Sequence, residues 1–338
     1  MIFTKNDSQI IKGIAILMMI FHHLFAFPER ITIVYGNSFL KFFFIEIGDF
    51  SKICVALFCF ISGYGLYEKT KKLNKDKLLF KDISISKKTL LSFYKMYWFI
   101  LIVTLPLGFY LNKLDFSIKT LILTILGVSQ TYNIEWWYVK DYILFVAMFP
   151  LYNQLIKLVD KYIKSENKKF LVYCSLLIVI VILSEFLSSY SIYKVIRWIP
   201  CFLVGILFSK FSLFTKIPKK LPHLYSVILI LFTVCIRNLF NQTTSSNHLD
   251  FLLVPIFIFA CLSLISAKNE FLPFWGKYSF YMWLTHSFYI YYYFQNIALI
   301  PKIPLFIYIW VILLSTVTAL LLSYIFNNLN ILIIKKQE

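Results

Sequence analysis

Long apolar runs separated by short lysine-rich stretches fill almost the whole of this 338-residue chain. Hydrophobic residues make up 60% of the sequence and charged residues 15%, whereas a soluble domain has about half and about a quarter of these. The mean hydropathy is +0.76. A soluble protein of this size could not bury so many Ile, Leu, Phe and Tyr side chains, so the surplus must contact lipid. The sequence therefore predicts an all-α, polytopic membrane protein.

The lengths of the apolar runs predict how often the chain crosses the bilayer. A transmembrane helix needs about 20 mostly apolar residues. The candidate spans are residues 10–27, 53–67, 91–111, 136–158, 169–187, 195–214, 221–240, 250–267, 278–299 and 304–334. An eleventh run, 118–128, is too short to cross and is typical of a re-entrant or interfacial helix. We expect a membrane helical bundle of about ten transmembrane helices plus this short helix.

The positions of the basic residues predict the orientation of the spans. If the N-terminus lies inside, most lysines fall in the loops that face the cytoplasm, as the positive-inside rule requires. If 118–128 crossed the bilayer, the most basic loops after it would face outward instead. We therefore expect both termini in the cytoplasm. We also expect one membrane domain over residues 1–338 without a soluble domain, and residues 68–90 as a lysine-rich cytoplasmic loop.

Composition and motifs exclude several classes of function. The net charge of +18 does not indicate nucleic-acid binding, because the basic residues lie in short loops between apolar runs. The six cysteines are scattered through apolar runs without a CxxC pair, so neither a disulfide framework nor a metal site is expected. The sequence contains no P-loop, GxGxxG, HExxH or GxSxG motif, and thus gives no support to nucleotide hydrolysis, dinucleotide chemistry or zinc and serine hydrolases.

Two polar residues share one face of the first predicted span. Lys12 and His23 are eleven residues apart, almost three helical turns, with Lys12 at the cytoplasmic rim and His23 deeper in the membrane. Such a pair suits an anionic cofactor that enters from the cytosol. The alternative is that Lys12 snorkels to the headgroups and His23 makes a hydrogen bond between helices.

The ninth predicted span carries a second polar stripe. Ser279, Trp283 and His286 have i, i+4 and i+7 spacing and therefore lie on one helix face. A polar stripe within lipid is expected to face the interior of the bundle. His286 has two open interpretations, a catalytic role and a structural hydrogen bond.

Other basic residues near the membrane surfaces have two interpretations each. Lys88 and Lys95 lie seven residues apart on one helix face, where they would bind phosphates or anchor the helix at the headgroups. Arg197 and Arg237 lie near the predicted outer surface. They would bind a polyanionic acceptor or pair with Glu185.

Aromatic residues gather at the predicted membrane interfaces. Trp137 belongs to an aromatic pair at the start of the fourth span, which is typical of an interfacial belt, and the neighbouring Glu135 is a candidate for substrate contact. We interpret the aromatic run 289–294 as lipid-facing rather than sugar-stacking.

Several segments, taken together and in order, resemble the acyltransferase-3 family of bacterial membrane O-acyltransferases. Each motif is weak by itself, but the five extend from residue 12 to residue 286. They are Lys12-Gly13 followed by His23, the segment 58–64 (FCFISGY), Trp137-Tyr138 with Pro150, the segment 200–205 (PCFLVG) and the segment 276–286 (GKYSFYMWLTH).

The resemblance implies transfer of an acyl group, usually acetyl, from cytoplasmic acyl-CoA to a hydroxyl of a surface polysaccharide or its lipid-linked precursor. The expected location is the bacterial inner membrane, with acetyl-CoA as donor substrate and no metal. The family's essential histidine, its basic residue and its late histidine correspond to His23, Lys12 and His286. Two departures are Gln9, where the family often has Asp, and lysines in place of arginines at the start of the third span.

The mechanism that we expect has neutral His23 as general base for the acceptor hydroxyl. Transfer is either direct or through a transient acyl-histidine. The predicted catalytic residues are His23, His286 and Ser279, the predicted cofactor-binding residues are Lys12, Lys88 and Lys95, and the predicted substrate-binding residues are Glu135, Trp137, Arg197 and Arg237.

Two other classes remain as alternatives. A flippase or transporter for lipid-linked glycan also fits a basic, aromatic-rich helical bundle, although the sequence shows no paired discontinuous helices. A glycan polymerase would be expected to carry a large outer loop, and the longest predicted outer loop is only residues 28–52.

Overall fold

The structure is a computed structural model that describes residues 2–71, 78–187, 196–218, 220–241, 249–265 and 269–335. All regular secondary structure in these ranges is helical, which confirms the predicted all-α class for them. The helices are α1 (Lys5–Phe25), α2 (Ser38–Ser51), α3 (Ile53–Lys71), α4 (Leu78–Tyr110), α5 (Ile118–Ile125), α6 (Trp137–Tyr162), α7 (Glu166–Phe186), α8 (Ile199–Lys210), α9 (His223–Asn241), α10 (Asp250–Leu264), α11 (Phe271–Ser287), α12 (Gln295–Ala298) and α13 (Pro304–Lys335).

Six helical segments of the described chain are long and apolar enough to cross a membrane. They are Lys5–Phe25, Phe80–Tyr110, Ile134–Tyr162, Glu166–Phe186, His223–Phe240 and Pro304–Leu329. The shorter α8 and α10 are also apolar. Each of the ten predicted spans overlaps a helix, with the span edges 195 and 266–267 outside the described residues. The count of ten remains a prediction, since length and composition support six.

The structure differs from the sequence prediction in two loops. The predicted outer loop 28–52 contains α2, which is too short to span a bilayer. The helix is capped at its start, because Asn37 Oδ1 accepts a hydrogen bond from Leu40 N at 2.8 Å. The predicted cytoplasmic loop 68–90 is helical at both ends: α3 continues to Lys71 and α4 begins at Leu78. Its residues 72–77 lie outside the described part of the chain.

The short apolar run 118–128 forms a short helix, as predicted. Helix α5 has 8 residues, equivalent to about 12 Å of rise, well below the thickness of a bilayer core. Ser117 caps it by accepting a hydrogen bond from Thr120 N.

The helices group into two compact units. The first comprises Met1–Thr4, Val55–Leu91 and Asp141–Ala267, and the second comprises Lys5–Cys54, Ser92–Lys140 and Lys268–Glu338. Three boundaries fall within helices, in α3, α4 and α6, so each of these helices contributes to both units.

A close crossing of α1 and α11 organises the second unit. A Cβ on Gly13 would lie 2.1 Å from the carbonyl oxygen of Leu272, and a Cβ on Gly276 would lie 1.9 Å from that of Gln9. Only glycine permits this approach of two backbones. Ten residues further along both helices the sequence reaches a histidine, His23 on α1 and His286 on α11.

The first unit contains a similar crossing of α3 and α8. A Cβ on Gly63 would lie 2.0 Å from the carbonyl oxygen of Phe202, and a Cβ on Gly205 would lie 2.0 Å from that of Phe60. Four of the five sequence motifs therefore pair at glycine contacts, two motifs in each unit. These glycines explain part of the motif pattern by packing alone, without any chemistry.

Candidate functional site

The candidate site centres on three side chains of the second unit that meet at the C-terminal end of α1. His23 Nδ1 lies 3.3 Å from Glu135 Oε2, but the geometry is not that of a hydrogen bond, and Nδ1 has no hydrogen-bond partner among the described residues. The other carboxylate oxygen, Glu135 Oε1, accepts a hydrogen bond from Arg30 Nη2 at 2.7 Å. The carboxylate is almost fully buried, whereas the guanidinium side chain is 32% exposed. Glu135 is thus held between an imidazole and a cation that reaches the surface.

The turn that precedes α6 positions Glu135. This single 3₁₀ turn, Ile134–Trp136, begins at Asn133, whose Oδ1 accepts a hydrogen bond from Glu135 N at 3.0 Å. Three further hydrogen bonds attach the turn to the end of α11 and the residues after it. They run from Asn133 Nδ2 to Ser287 Oγ (2.7 Å), from Ile134 N to the Tyr292 hydroxyl (2.8 Å) and from Trp136 Nε1 to Leu284 O (3.0 Å).

His286 lies next to His23 and is fully buried. The two ring centroids are 5.1 Å apart. His286 Nδ1 faces the carbonyl oxygens of Met282 at 3.0 Å and Trp283 at 2.8 Å. Carbonyls only accept hydrogen bonds, so this assigns the proton of the neutral ring to Nδ1. The Nε2 atom then carries a lone pair, and it has no hydrogen-bond partner within the described part of the chain.

A π-helical turn, Phe288–Tyr292, continues α11 and brings two tyrosines to the site. The Tyr291 hydroxyl donates a hydrogen bond to the backbone carbonyl of His23. The Arg30 guanidinium lies 3.7 Å above the Tyr291 ring, a cation–π contact. Such single π turns within helices are frequent at functional sites. The run 289–294, interpreted from the sequence as lipid-facing, therefore includes residues that support the site.

The ion pair with Glu135 stabilises the charged form of Arg30. Burial lowers the pKa of Arg30, but the hydrogen bond to Glu135 and the charge of that carboxylate raise it above the ordinary value. Sequence reasoning did not identify Arg30 as a site residue. The signal that could have identified Arg30 was its position three residues after the first predicted span, in a chain with few arginines.

The other predicted catalytic residue, Ser279, lies on α11 seven residues before His286. It is buried, and its hydroxyl donates a hydrogen bond to Gly276 O at 2.9 Å. The structure thus shows a local backbone contact for this hydroxyl, and its catalytic role stays a prediction.

The three predicted cofactor-binding lysines differ in position. Lys12 is half-buried on α1, and Lys95 is exposed on α4; both belong to the second unit. Lys88, also exposed on α4, belongs to the first unit. Their role in phosphate binding stays a prediction.

Two of the four predicted substrate-binding residues belong to each unit. Glu135 contacts His23 and Arg30, as described above, and Trp137 packs edge-on against Tyr138 with centroids 5.8 Å apart.

The two remaining arginines belong to the first unit. Arg197 lies over the Trp198 ring at 5.4 Å. Arg237 is fully buried, and its Nε and Nη2 atoms bind the two carboxylate oxygens of Asp250 at 2.8 and 3.2 Å. The two interpretations for Arg237 were acceptor binding and pairing with Glu185, and the ion pair in the structure is with Asp250.

Within the described ranges, no group of three or more His, Cys, Asp or Glu side chains is placed to hold a metal ion. The chemical groups that the site does offer are two imidazoles, a carboxylate and a guanidinium. A carboxylate that orients an imidazole, which in turn accepts a proton from a hydroxyl, is a recurrent arrangement in acyl transfer.

Comparison with known proteins gives a match at the level of family. The family model Acyl_transf_3, described as an acyltransferase domain, matches residues 6–328, nearly the whole chain. Neither the curated proteins nor the solved structures compared with the chain provide a match.

Proposed function

This chain belongs to the acyltransferase-3 family, and on that premise we propose that it is an O-acyltransferase of the bacterial inner membrane. It transfers an acetyl or other short acyl group from cytoplasmic acyl-CoA to a hydroxyl of a surface polysaccharide or its lipid-linked precursor. The observation that supports the proposal is the 3.3 Å approach of His23 Nδ1 to Glu135 Oε2, which places an imidazole beside a buried carboxylate, although its geometry is not that of a hydrogen bond.

His23 acts as the general base in this mechanism. In this mechanism the neutral ring carries its proton on Nδ1, the atom nearer Glu135, and a lone pair on Nε2. The acceptor hydroxyl gives its proton to Nε2 while its oxygen attacks the thioester carbonyl. The C–O bond forms, the C–S bond breaks, and the CoA sulfur leaves with the proton that His23 accepted. Glu135 stabilises the imidazolium that exists between the two proton transfers.

Arg30 and Tyr291 hold Glu135 and His23 in position relative to each other. Arg30 holds the carboxylate oxygen that His23 does not use, and Tyr291 holds the backbone of His23. Orientation of this kind supports catalysis because the reacting groups must lie within hydrogen-bond reach.

His286 adds a second proton acceptor at the same place. Its Nε2 lone pair and that of His23 belong to neighbouring rings. A water molecule can donate hydrogen bonds to both acceptors, whereas a substrate hydroxyl has one proton and donates to one of them. A hydroxyl bound here would therefore give its proton to one imidazole, and the other would need a second donor.

The test uses purified protein in lipid nanodiscs with acetyl-CoA and a glycan acceptor, and it measures release of the CoA thiol. We expect His23→Ala to lower the rate at least about 100-fold, the usual scale for loss of a general base. His223→Ala, a change at an exposed histidine of α9, is the matched control and should retain the rate. Normal thiol release by His23→Ala would contradict the proposal.

A deletion strain separates the enzyme from the transporter alternative. Mass spectrometry of the surface glycan should show loss of acetyl groups with the polymer intact. Loss of the polymer itself would favour a flippase or polymerase.

A further inference from the structure

Helix α2 lies against the catalytic end of α1 with one face. The ring of Phe44 packs on Phe21 and Phe25, with centroids 5.8 and 4.7 Å apart. A Cβ on Gly48 would lie 2.8 Å from Ala26 N, so the two backbones touch there. Residues 44 and 48 thus meet the same short stretch at the C-terminal end of α1.

The opposite face of α2 presents three exposed aromatic rings. Phe39, Phe42 and Phe43 are 73%, 62% and 48% exposed. A helix of 14 residues is too short to cross a bilayer, whereas an apolar face of this kind is typical of helices that lie in the membrane interface. The aromatic face of α2 (Phe39, Phe42 and Phe43) is therefore suited to contact lipid chains.

A polar cavity of about 440 Å³ opens at the N-terminal end of the same helix. It is lined, among others, by Pro28, Thr32, Tyr35, Ser38 and Lys41, and no carboxylate is among its lining residues. Tyr35 is only 8% exposed, yet its hydroxyl has no hydrogen-bond partner in the described part of the chain. A buried hydroxyl without a hydrogen-bond partner indicates that a bound partner is missing from the cavity.

Backbone donors add to this cavity. Asn37 satisfies the N–H groups of Leu40 and Lys41. The N–H groups of Ser38 and Phe39 have no acceptor among the described residues. Free N–H groups at a helix start, together with a lysine side chain, favour an anion such as a phosphate.

Two residues that line the cavity lie close in sequence to a residue of the candidate site. Pro28 and Ile31, which line the cavity, flank Arg30, and the Arg30 guanidinium holds the carboxylate that faces His23. The cavity is thus lined by residues on both sides of Arg30 in the chain.

We infer that the aromatic face of α2 and the cavity at its start form a docking site for a lipid-linked saccharide. The phosphate occupies the cavity against Lys41 and the free N–H groups, the apolar chain lies on the aromatic face, and the sugar extends toward His23. The inference rests on the proposed function and selects, from its two acceptor classes, the lipid-linked precursor over the finished polymer.

The experiment compares two acceptors in proteoliposomes that contain acetyl-CoA. One is a saccharide carried on a polyprenyl diphosphate, and the other is the same saccharide without the lipid. We expect at least about tenfold higher kcat/KM for the lipid-linked form, the scale of one or two charge-assisted contacts. Polyprenyl phosphate should compete with this acceptor, and inorganic phosphate at the same concentration should not.

Two variants test the two parts of the site. Lys41→Gln and Phe42→Ser should each raise KM for the lipid-linked acceptor about five- to tenfold and leave kcat/KM for the free saccharide unchanged. The matched controls are Lys119→Gln and Phe116→Ser, which alter exposed residues of the same unit away from the cavity.

The outcomes separate this inference from the proposed function. Equal kcat/KM for both acceptors in the wild type, or equal loss on both in Lys41→Gln, would overturn the docking site and leave the acyltransferase intact. No thiol release by the wild type with either acceptor would overturn both.

Discussion

Glu135 Oε2 lies 3.3 Å from His23 Nδ1, at a site that joins the end of α1 to the start of α6. The carboxylate is buried, and its second oxygen is bound by Arg30 at 2.7 Å. A buried charge is tolerated when it is paired and hydrogen-bonded. Glu135 is therefore expected to act through His23, by fixing its orientation and its tautomer.

The substitution Glu135→Gln tests this relationship. The amide keeps the size of the side chain but loses the charge that stabilises the imidazolium, so kcat should fall about 100-fold, with KM for acyl-CoA little changed. Steady-state thiol release in nanodiscs measures both constants. A fall in binding with kcat preserved would instead support the original prediction that Glu135 contacts substrate.

The substitution Arg30→Ala should lower kcat about tenfold, because it removes both the hydrogen bond to Glu135 and the contact with the Tyr291 ring. Arg30→Lys keeps the charge but not the planar guanidinium, so we expect an intermediate rate. Glu29→Gln, at the adjacent exposed position, is the control. Equal rates for the alanine and lysine variants would show that charge is unimportant at this position.

His286→Gln tests the second imidazole. Because His286 Nε2 is a buried acceptor beside His23, its replacement should lower kcat about 10- to 100-fold without a matching fall in thermal stability. The thiol assay and a thermal unfolding curve in detergent give the two readouts. A fall in stability with kcat unchanged would assign His286 to the structural interpretation that the sequence left open.

Sequence patterns identified the fold class and much of the candidate site, because both depend on local rules. Helical periodicity placed His23 and His286 on polar faces, and the structure brings these two rings together. Periodicity does not show which partners arrive from other helices. The link of His23 to Glu135 and Arg30 depends on the turn Ile134–Trp136 and on residues after α1, which have no periodic pattern.

The aromatic run after His286 shows a similar limit at Tyr291, whose hydroxyl binds the backbone of His23. A run of Phe residues indicates burial from water, but it does not distinguish lipid from protein as the apolar partner. Tyr291 has an apolar ring and a hydroxyl that binds a backbone carbonyl, so its role depends on what lies beside it.

Arg237 and Asp250 give a prediction about stability. Both side chains are fully buried, and removal of one partner leaves an uncompensated charge. Arg237→Ala should therefore destabilise the protein by about 3–5 kcal/mol, and the double variant Arg237→Leu with Asp250→Leu should recover much of this loss. Thermal or denaturant unfolding in detergent measures the effect. If Arg237 bound the acceptor, the double variant would also show a large increase in KM.

The glycine crossing of α1 and α11 gives the last prediction. A Cβ on Gly276 would lie 1.9 Å from the backbone oxygen of Gln9, and backbone atoms cannot yield as a flexible side chain can. Gly276→Ala must push the two helices apart, at a cost of about 1–3 kcal/mol. Because the same helices carry His23 and His286, kcat should fall as well. Gly65→Ala is the matched control, since nothing lies within 4 Å of its Cβ position. Equal unfolding temperatures for the two variants would show that the crossing is looser than the structure describes, and that the two imidazoles are held together by other contacts.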